Sequence, residues 1–309
     1  MQPNHSGELP DEVLRDAAQV VGAEITLVRR LPGGVNAGSL QVQLDGGTRA
    51  VLKAEPRIHS HQLDETLRAQ RIAEHLRGRG YPTPAWLGVG ATSTHVWHLT
   101  DFVDATPASE LTPDLITQLM GIIELQAGEA TEPYDHWSYA WRVATGREST
   151  DVTETAEQVG LRRAIARLPG HSPEVSTLVE RLRQMCTGAP PPPEAPDVVH
   201  ADLATPSNVL VRDAEVVAVV DIGNAGSGTR AIDLTALVWY TFRDPQLDGA
   251  RQQLWTRILD LVGWDAAAVL AASHILHMLE IPIRGGHEDV VPEVVTRGHH
   301  ALDELTSLD

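Results

Sequence analysis

His200, Asp202, Asn208 and Asp221 stand in an order that suits phosphoryl transfer. The stretch Val198-Val199-His200-Ala201-Asp202-Leu203-Ala204-Thr205-Pro206-Ser207-Asn208-Val209-Leu210-Val211 is followed, after a short charged turn, by Val216 to Val220 and Asp221-Ile222-Gly223. Two apolar strands therefore frame a polar loop. Such a layout offers one carboxylate to a substrate hydroxyl, and an amide oxygen with a second carboxylate that could hold magnesium on a nucleotide. Taken singly, each residue also has a plain structural reading: Asp202 as a helix N-cap, His200 as a core residue. It is the run of matching positions from 198 to 234 that sets the segment apart.

That run resembles the H-x-D…N and following D-x-G motifs of the aminoglycoside phosphotransferase and choline kinase superfamily, relatives of the protein kinases. The continuation Asp221-Ile222-Gly223-Asn224-Ala225-Gly226-Ser227-Gly228-Thr229-Arg230-Ala231-Ile232-Asp233-Leu234 is similar to that family's metal-binding Asp, glycine-rich turn and second buried Asp opening a helix. The resemblance implies that Asp202 is the catalytic residue and that Asn208 and Asp221 hold the metal. It also implies that His200 fixes the loop by hydrogen bonding and that Asp233 anchors the loop backbone. One departure stands out: the family usually places the Asn five residues after the catalytic Asp, whereas Asn208 lies six after Asp202.

The elements needed to position these groups can be traced from the N-terminus. Val13, Leu14, Ala17, Ala18 and Val21 recur near the helical period over Asp11 to Val21. Ile25 to Val28 reads as a strand, Leu31 to Ser39 as a glycine-containing turn, and Leu40 to Leu44 as an alternating strand. Asp45-Gly46-Gly47 is a hairpin turn, and Arg49 to Lys53 returns as a strand. The turn matches neither G-x-x-x-x-G-K-[ST] nor strict G-x-G-x-x-G, which argues against a P-loop or a dinucleotide site. In the family this order is the small lobe of a kinase-like fold. It implies that Lys53 is the nucleotide lysine, that Gly34 and Ser39 belong to a phosphate-covering loop, and that Glu65 or Glu74 on the next helix, Leu63 to Arg77, pairs with Lys53. Glu65 is favoured, since it shares a face with Ala69, Ile72 and Leu76. Val96 to Val103 reads as a strand leaving the small lobe, and the resemblance makes its end the hinge along the base, with backbone groups of Thr100 to Val103 as partners.

Helices are expected over Leu111 to Leu125, Thr155 to Ala166 and Glu174 to Met185. Gly188 to Pro196, rich in proline, reads as an extended connector, and the region from Ala231 onward as helical. The fold class expected is thus α+β and two-lobed, with a small antiparallel β lobe over residues 1–100 and a larger, mostly helical lobe over 101–309.

Composition bounds the function further. The chain has 309 residues, 42% of them hydrophobic, with no basic and apolar leader and no run of about 18 uncharged apolar residues. A single cysteine, Cys186, allows no disulfide within the chain, and the cytoplasm is the expected compartment. Forty-two acidic against 24 basic residues give a formal net charge of −18, a field that repels nucleic acid and anionic membranes and attracts cations. Together with the resemblance this implies a kinase using ATP or GTP with Mg2+, acting on a hydroxyl of a small cationic acceptor, an aminoglycoside or related antibiotic. Asp151, Glu154, Glu157, Glu280, Glu288 and Asp289 are the acidic candidates for binding its amines. A kinase for a sugar, amino alcohol or macrolide, and a nucleotide-binding pseudoenzyme, are the alternatives. His274 and His277 lie one helical turn apart without the companions of a zinc site, and read as a packed or solvated helix. Trp137, Tyr139 and Trp141 read as core or as a stacking surface.

Overall fold

The computed structural model describes residues 10–31, 38–132, 134–147, 156–203 and 205–308. In chain order the regular elements are α1 (Asp11–Val21), β1 (Ile25–Arg30), β2 (Ser39–Leu44), β3 (Arg49–Pro56), α2 (Gln62–Gly78), β4 (Trp86–Ala91), β5 (His95–Asp101), β6 (Thr106–Pro107) and α3 (Pro113–Glu124). They continue as α4 (His136–Thr145), α5 (Ala156–Ile165), α6 (Pro173–Met185), β7 (Asp197–Val199), β8 (Val209–Arg212), β9 (Glu215–Val219), β10 (Gly226–Gly228), α7 (Ala231–Thr241), α8 (Asp248–Gly285) and α9 (Val291–Thr306). The fold is α+β with two compact units, Met1–Glu110 joined by Thr205–Ala225, and Leu111–Ala204 joined by Gly226–Asp309. Sequence alone placed everything after residue 100 in one lobe. Residues 205–225 instead group with the first unit because β8 pairs with both β6 and β9.

In the first unit an antiparallel sheet of order β1-β2-β3-β5-β4 is covered on one face by α1. Strand alternation explains the division of labour. Leu40, Val42, Ala50, Leu52, Trp97 and Leu99 point toward Val13 and Ala17 and form the core there. Full burial of Trp97 and Leu52 contributes about 2–3 kcal/mol each, and the Trp97 indole N–H is satisfied by Asp16 Oδ2 at 2.7 Å. Strand β4, which the sequence reading lacked, owes its low legibility to Gly88 and Gly90. A Cβ on Gly90 would collide with the Trp97 ring, so glycine is required where the two strands and α1 close over that indole. Helix α2 buries Ala69, Ile72, Ala73 and Leu76, the face expected from its periodicity.

The second unit is built from helices around a two-stranded ribbon, β7 with β10. Arg230 is held by Glu124 at 3.1 Å and Asp197 at 2.8 Å, and Glu124 also takes Arg257 at 2.7 Å. These cations hold the Glu124 carboxyl below the usual range, with the Arg257 hydrogen bond the largest cause. Helix α8 breaks at Gly263, where φ is 74°. The segment Pro245–Gly285 is long and apolar enough to cross a membrane, though not an uncharged apolar run, and 67% of its most apolar window is buried within the protein, as in a core helix.

Candidate active site

The face of the sheet opposite α1 lines a cavity of about 420 Å³ within the first unit. Two cross-strand rows supply its wall: Ser39, Lys53 and His98, and Val51 with Thr100, whose row Gln41 continues. Ser39, Lys53, Thr100, Val103, Asn208 and Asp221 all line it, with Leu210, Val220 and Ile222 adding apolar surface. Six of the residues singled out by sequence thus meet in one place.

Local backbone explains how the polar pair arrives there. Asn208 closes a 3-10 turn by donating its N–H to Thr205 O at 2.8 Å, and its own carbonyl accepts from Val220 N at 2.9 Å. This tie sets Asn208 beside the strand end that delivers Asp221. Asp221 itself adopts the left-handed conformation, φ 64° and ψ 43°, which Asp tolerates better than most residues and which ends the strand abruptly. Its carboxylate receives Lys53 Nζ at 2.6 Å, while Glu55 approaches the same ammonium at 3.7 Å. Asn208 is buried and Asp221 half-exposed. Among the described residues no three His, Cys, Asp or Glu side chains converge as a self-sufficient metal site. One amide oxygen and one carboxylate are hard donors that suit a magnesium-like ion whose remaining ligands come from phosphate and water.

His98 and Trp86 form the inner wall, their rings stacked with centroids 4.5 Å apart. Burial, reinforced by the nearby Lys53 charge and opposed by Asp221, pushes the His98 imidazole down to about 4, so it is neutral at pH 7. His98, Trp86 and Arg29, which also lines the cavity, were not anticipated. The alternation of β5, with Trp97 and Leu99 as apolar neighbours, was the signal available for His98.

The loop bearing Asp202 is described within the second unit. Asp233, fully buried in the first turn of α7, accepts the His200 N–H at 2.8 Å and the Ala201 N–H at 2.9 Å through its two oxygens, and the Gln126 side-chain amide at 3.1 Å. His200 is also fully buried, and its Nδ1 accepts the Asp202 N–H at 3.3 Å. Desolvation raises the Asp233 carboxyl above its ordinary range, against the pull of His200 and these donors. Ala201 sits at φ 69°, a strained value for a residue with a Cβ, directly before Asp202. Asp202 is partly exposed.

Other expectations fare differently. Glu65 does not form the expected pair with Lys53: it lies 3.5 Å from His59 Nε2, while Lys53 turns to Asp221 and Glu55. Glu74 is bound by Gln70 on its own helix at 3.0 Å. Glu280, expected to offer charge to an acceptor, is buried and receives Arg284 one helical turn later at 2.7 Å. Glu288 is exposed and meets His171 at 3.0 Å, and Asp289 is exposed. Gly34, Asp151, Glu154 and the side chain of Glu157 lie outside the described residues.

A lysine and carboxylate paired on a cavity wall, an adjoining amide, and a buried acid bracing an Asp-bearing loop define a kinase-like class of two-lobed α+β phosphotransferases. The sequence pattern of the phosphotransferase enzyme family (APH) matches residues 27–270, and the chain belongs to that family. It is an enzyme, a phosphotransferase with an alcohol group as acceptor. The structure is similar to that of a thermostable mutant of the aminoglycoside phosphotransferase APH(4)-Ia in ternary complex with AMP-PNP and hygromycin B, with TM-score 0.62 and 12% identity, covering 94% of this chain and 97% of that one. It is similar to an aminoglycoside-3'-phosphotransferase of type VIII, with TM-score 0.56 and 20% identity over 85% and 97%. A putative fructosamine-3-kinase from Thermobifida fusca is also similar, with TM-score 0.56 and 20% identity over 94% and 100%. No curated protein matches the sequence.

Proposed function

We propose that this enzyme transfers the terminal phosphoryl group of ATP or GTP to a hydroxyl of a small cationic molecule, an aminoglycoside or related antibiotic. The observation that carries the reading is the cavity in which Lys53, Asp221, Asn208 and the Thr100 to Val103 strand end face one space. The base would lie against Val51 and Leu210, with backbone groups near Thr100 and Val103 as hydrogen-bond partners. Lys53 would neutralise phosphate charge. Asn208 and Asp221 would hold Mg2+, which when bound supplies charge stabilisation across the phosphate oxygens. Asp202 would orient the acceptor hydroxyl and take its proton as the new oxygen–phosphorus bond forms and the bond to the leaving nucleoside diphosphate breaks. His200 and Asp233 would hold that loop in shape. A cytoplasmic location follows from the need for nucleoside triphosphate.

The net charge of −18 favours an amine-bearing acceptor, and Glu288 and Asp289, both exposed, are the described acidic candidates to meet it. The hygromycin B held by the APH(4)-Ia relative supports the same choice. The fructosamine-3-kinase likeness favours a second reading, an amine-bearing sugar metabolite. A screen of aminoglycosides, amino sugars and neutral sugars with labelled ATP and GTP separates them. Turnover with a polyamine acceptor, and a KM that rises with salt while kcat holds, is the expected result. Turnover confined to neutral sugars, or a KM flat with salt, would refute the cationic acceptor.

A further inference from the structure

Val51 and Thr100 line the cavity, Gln41 continues their cross-strand row, and β1 joins that row through an irregularity. Leu27 pairs with Val42, but the next partner of the sheet, Gln41, is met by Arg29 and not by Val28. One extra residue in β1 has shifted the register. Because neighbouring side chains alternate between faces, an unbulged β1 would set Val28 in this row and turn Arg29 away. The bulge puts a cation where alternation would have put a valine.

Two further observations bear on what that cation does. Arg29 Nε donates to Gln41 Oε1 at 2.8 Å, and Gln41 is only 6% exposed, so the guanidinium is held from within the sheet; among the described residues its two terminal nitrogens take no hydrogen-bond partner and are left for a ligand. Among the described residues no carboxylate pairs with Arg29, whereas Lys53 is met by Asp221 and Glu55. A polyanion entering this cavity would find the lysine charge already offset and the arginine charge not. A planar guanidinium with both terminal nitrogens available suits two phosphate oxygens at once.

We infer that Arg29 is a phosphate-binding residue of this cavity, gripping the polyphosphate chain of the nucleotide alongside Lys53, and that Gln41 is its positioning residue. The inference rests on the reading of the cavity as the nucleotide site. Calorimetric titration of the full chain with ATP and with adenosine tests it, using wild type, Arg29→Gln, Arg29→Lys and Gln41→Leu, with thermal unfolding as a control for folding. Loss of a charge-assisted contact should raise the ATP Kd of Arg29→Gln about tenfold and leave adenosine within about twofold. Arg29→Lys should recover part of the loss, and Gln41→Leu should show a smaller one in ATP affinity alone. An ATP affinity of Arg29→Gln within twofold of wild type, or an equal loss for adenosine, overturns the role of Arg29 while leaving the nucleotide site standing. Wild-type protein that binds neither ligand overturns the nucleotide reading and this inference with it.

Discussion

Replacing Asp233 should separate loop geometry from chemistry. Its carboxylate takes two backbone N–H groups, from His200 and Ala201, and one amide of Gln126, at 2.8, 2.9 and 3.1 Å. In Asp233→Ala these buried donors lose their acceptor, at a cost of about 1–3 kcal/mol for each orphaned group. Against that, the carboxyl is raised by burial, so removing it also relieves an incompletely compensated desolvation. The balance is a destabilisation of about 3 kcal/mol for Ala. For Asn, which keeps one acceptor oxygen but turns an NH2 toward the other N–H, it is about 1–2 kcal/mol. Both leave a folded protein if stability lies in the usual range of about 5–15 kcal/mol. Turnover should fall although the protein stays folded. Ala201 is held at φ 69° by the bond to Asp233, and once that bond is gone the backbone can relax and carry Asp202 with it. A fall in kcat of about tenfold or more is expected, equivalent to about 1.4 kcal/mol of transition-state stabilisation. Urea unfolding followed by tryptophan fluorescence, with steady-state kinetics on the best acceptor, measures both. An Ala variant within about 0.5 kcal/mol of wild type and with unchanged kcat would show that neither the loop nor Ala201 depends on this acid.

Three more expectations can be checked with the same preparations. Asp202→Asn should lower kcat by about a hundredfold or more while nucleotide Kd stays within about threefold, because the group acts on the acceptor proton; retention of a tenth of wild-type kcat removes Asp202 from that role. Lys53→Ala should weaken nucleotide binding about tenfold and leave Asp221 without its 2.6 Å partner, with little change in the unfolding midpoint; an unchanged affinity would place the phosphates elsewhere. His274, buried against the Trp239 ring, is pushed down to about 3 by desolvation, with His277 nearby adding to the shift, so the fold holds it neutral. Its contribution is therefore complete above the ordinary histidine value near 6.5 and is lost as pH falls from there toward 3, amounting to about 2 kcal/mol by pH 5. Urea midpoints at pH 7.5, 6 and 5 should show that slope flattened in His274→Phe, and an identical slope in the variant would mean that another group carries the acid sensitivity.

The sequence speaks plainly where function is local and faintly where it depends on pairing across strands. Residues 198–234 hold the Asp202 loop, its bracing acid and the Asp221 turn in one continuous stretch, so the resemblance to the family's motifs reached all three. Lys53 followed from the resemblance of the strand-and-turn order to the family's small lobe, and the alternation that buries Leu52 against α1 does send Lys53 to the other face. Strand β4 was hidden because glycines, ordinarily breakers, are demanded here by residues elsewhere in the fold: Gly90 by Trp97 on another strand, and Gly88 by Val20 and Val21 of α1. The partner of Lys53 was missed because a glutamate's place on a helical face does not fix which cation it meets. Glu65 meets His59, and only folded distances show that Asp221, far along the chain, is nearer to the lysine. Glu280 read as available charge because the acidic balance and the resemblance pointed to its region, yet Arg284 one turn on pairs with it and it is buried. Arg29 is the sharpest case. A strict period of two through β1 would count it off the cavity face, and a single bulged residue, which no pattern of apolar and polar letters announces, reverses the count for every position after it.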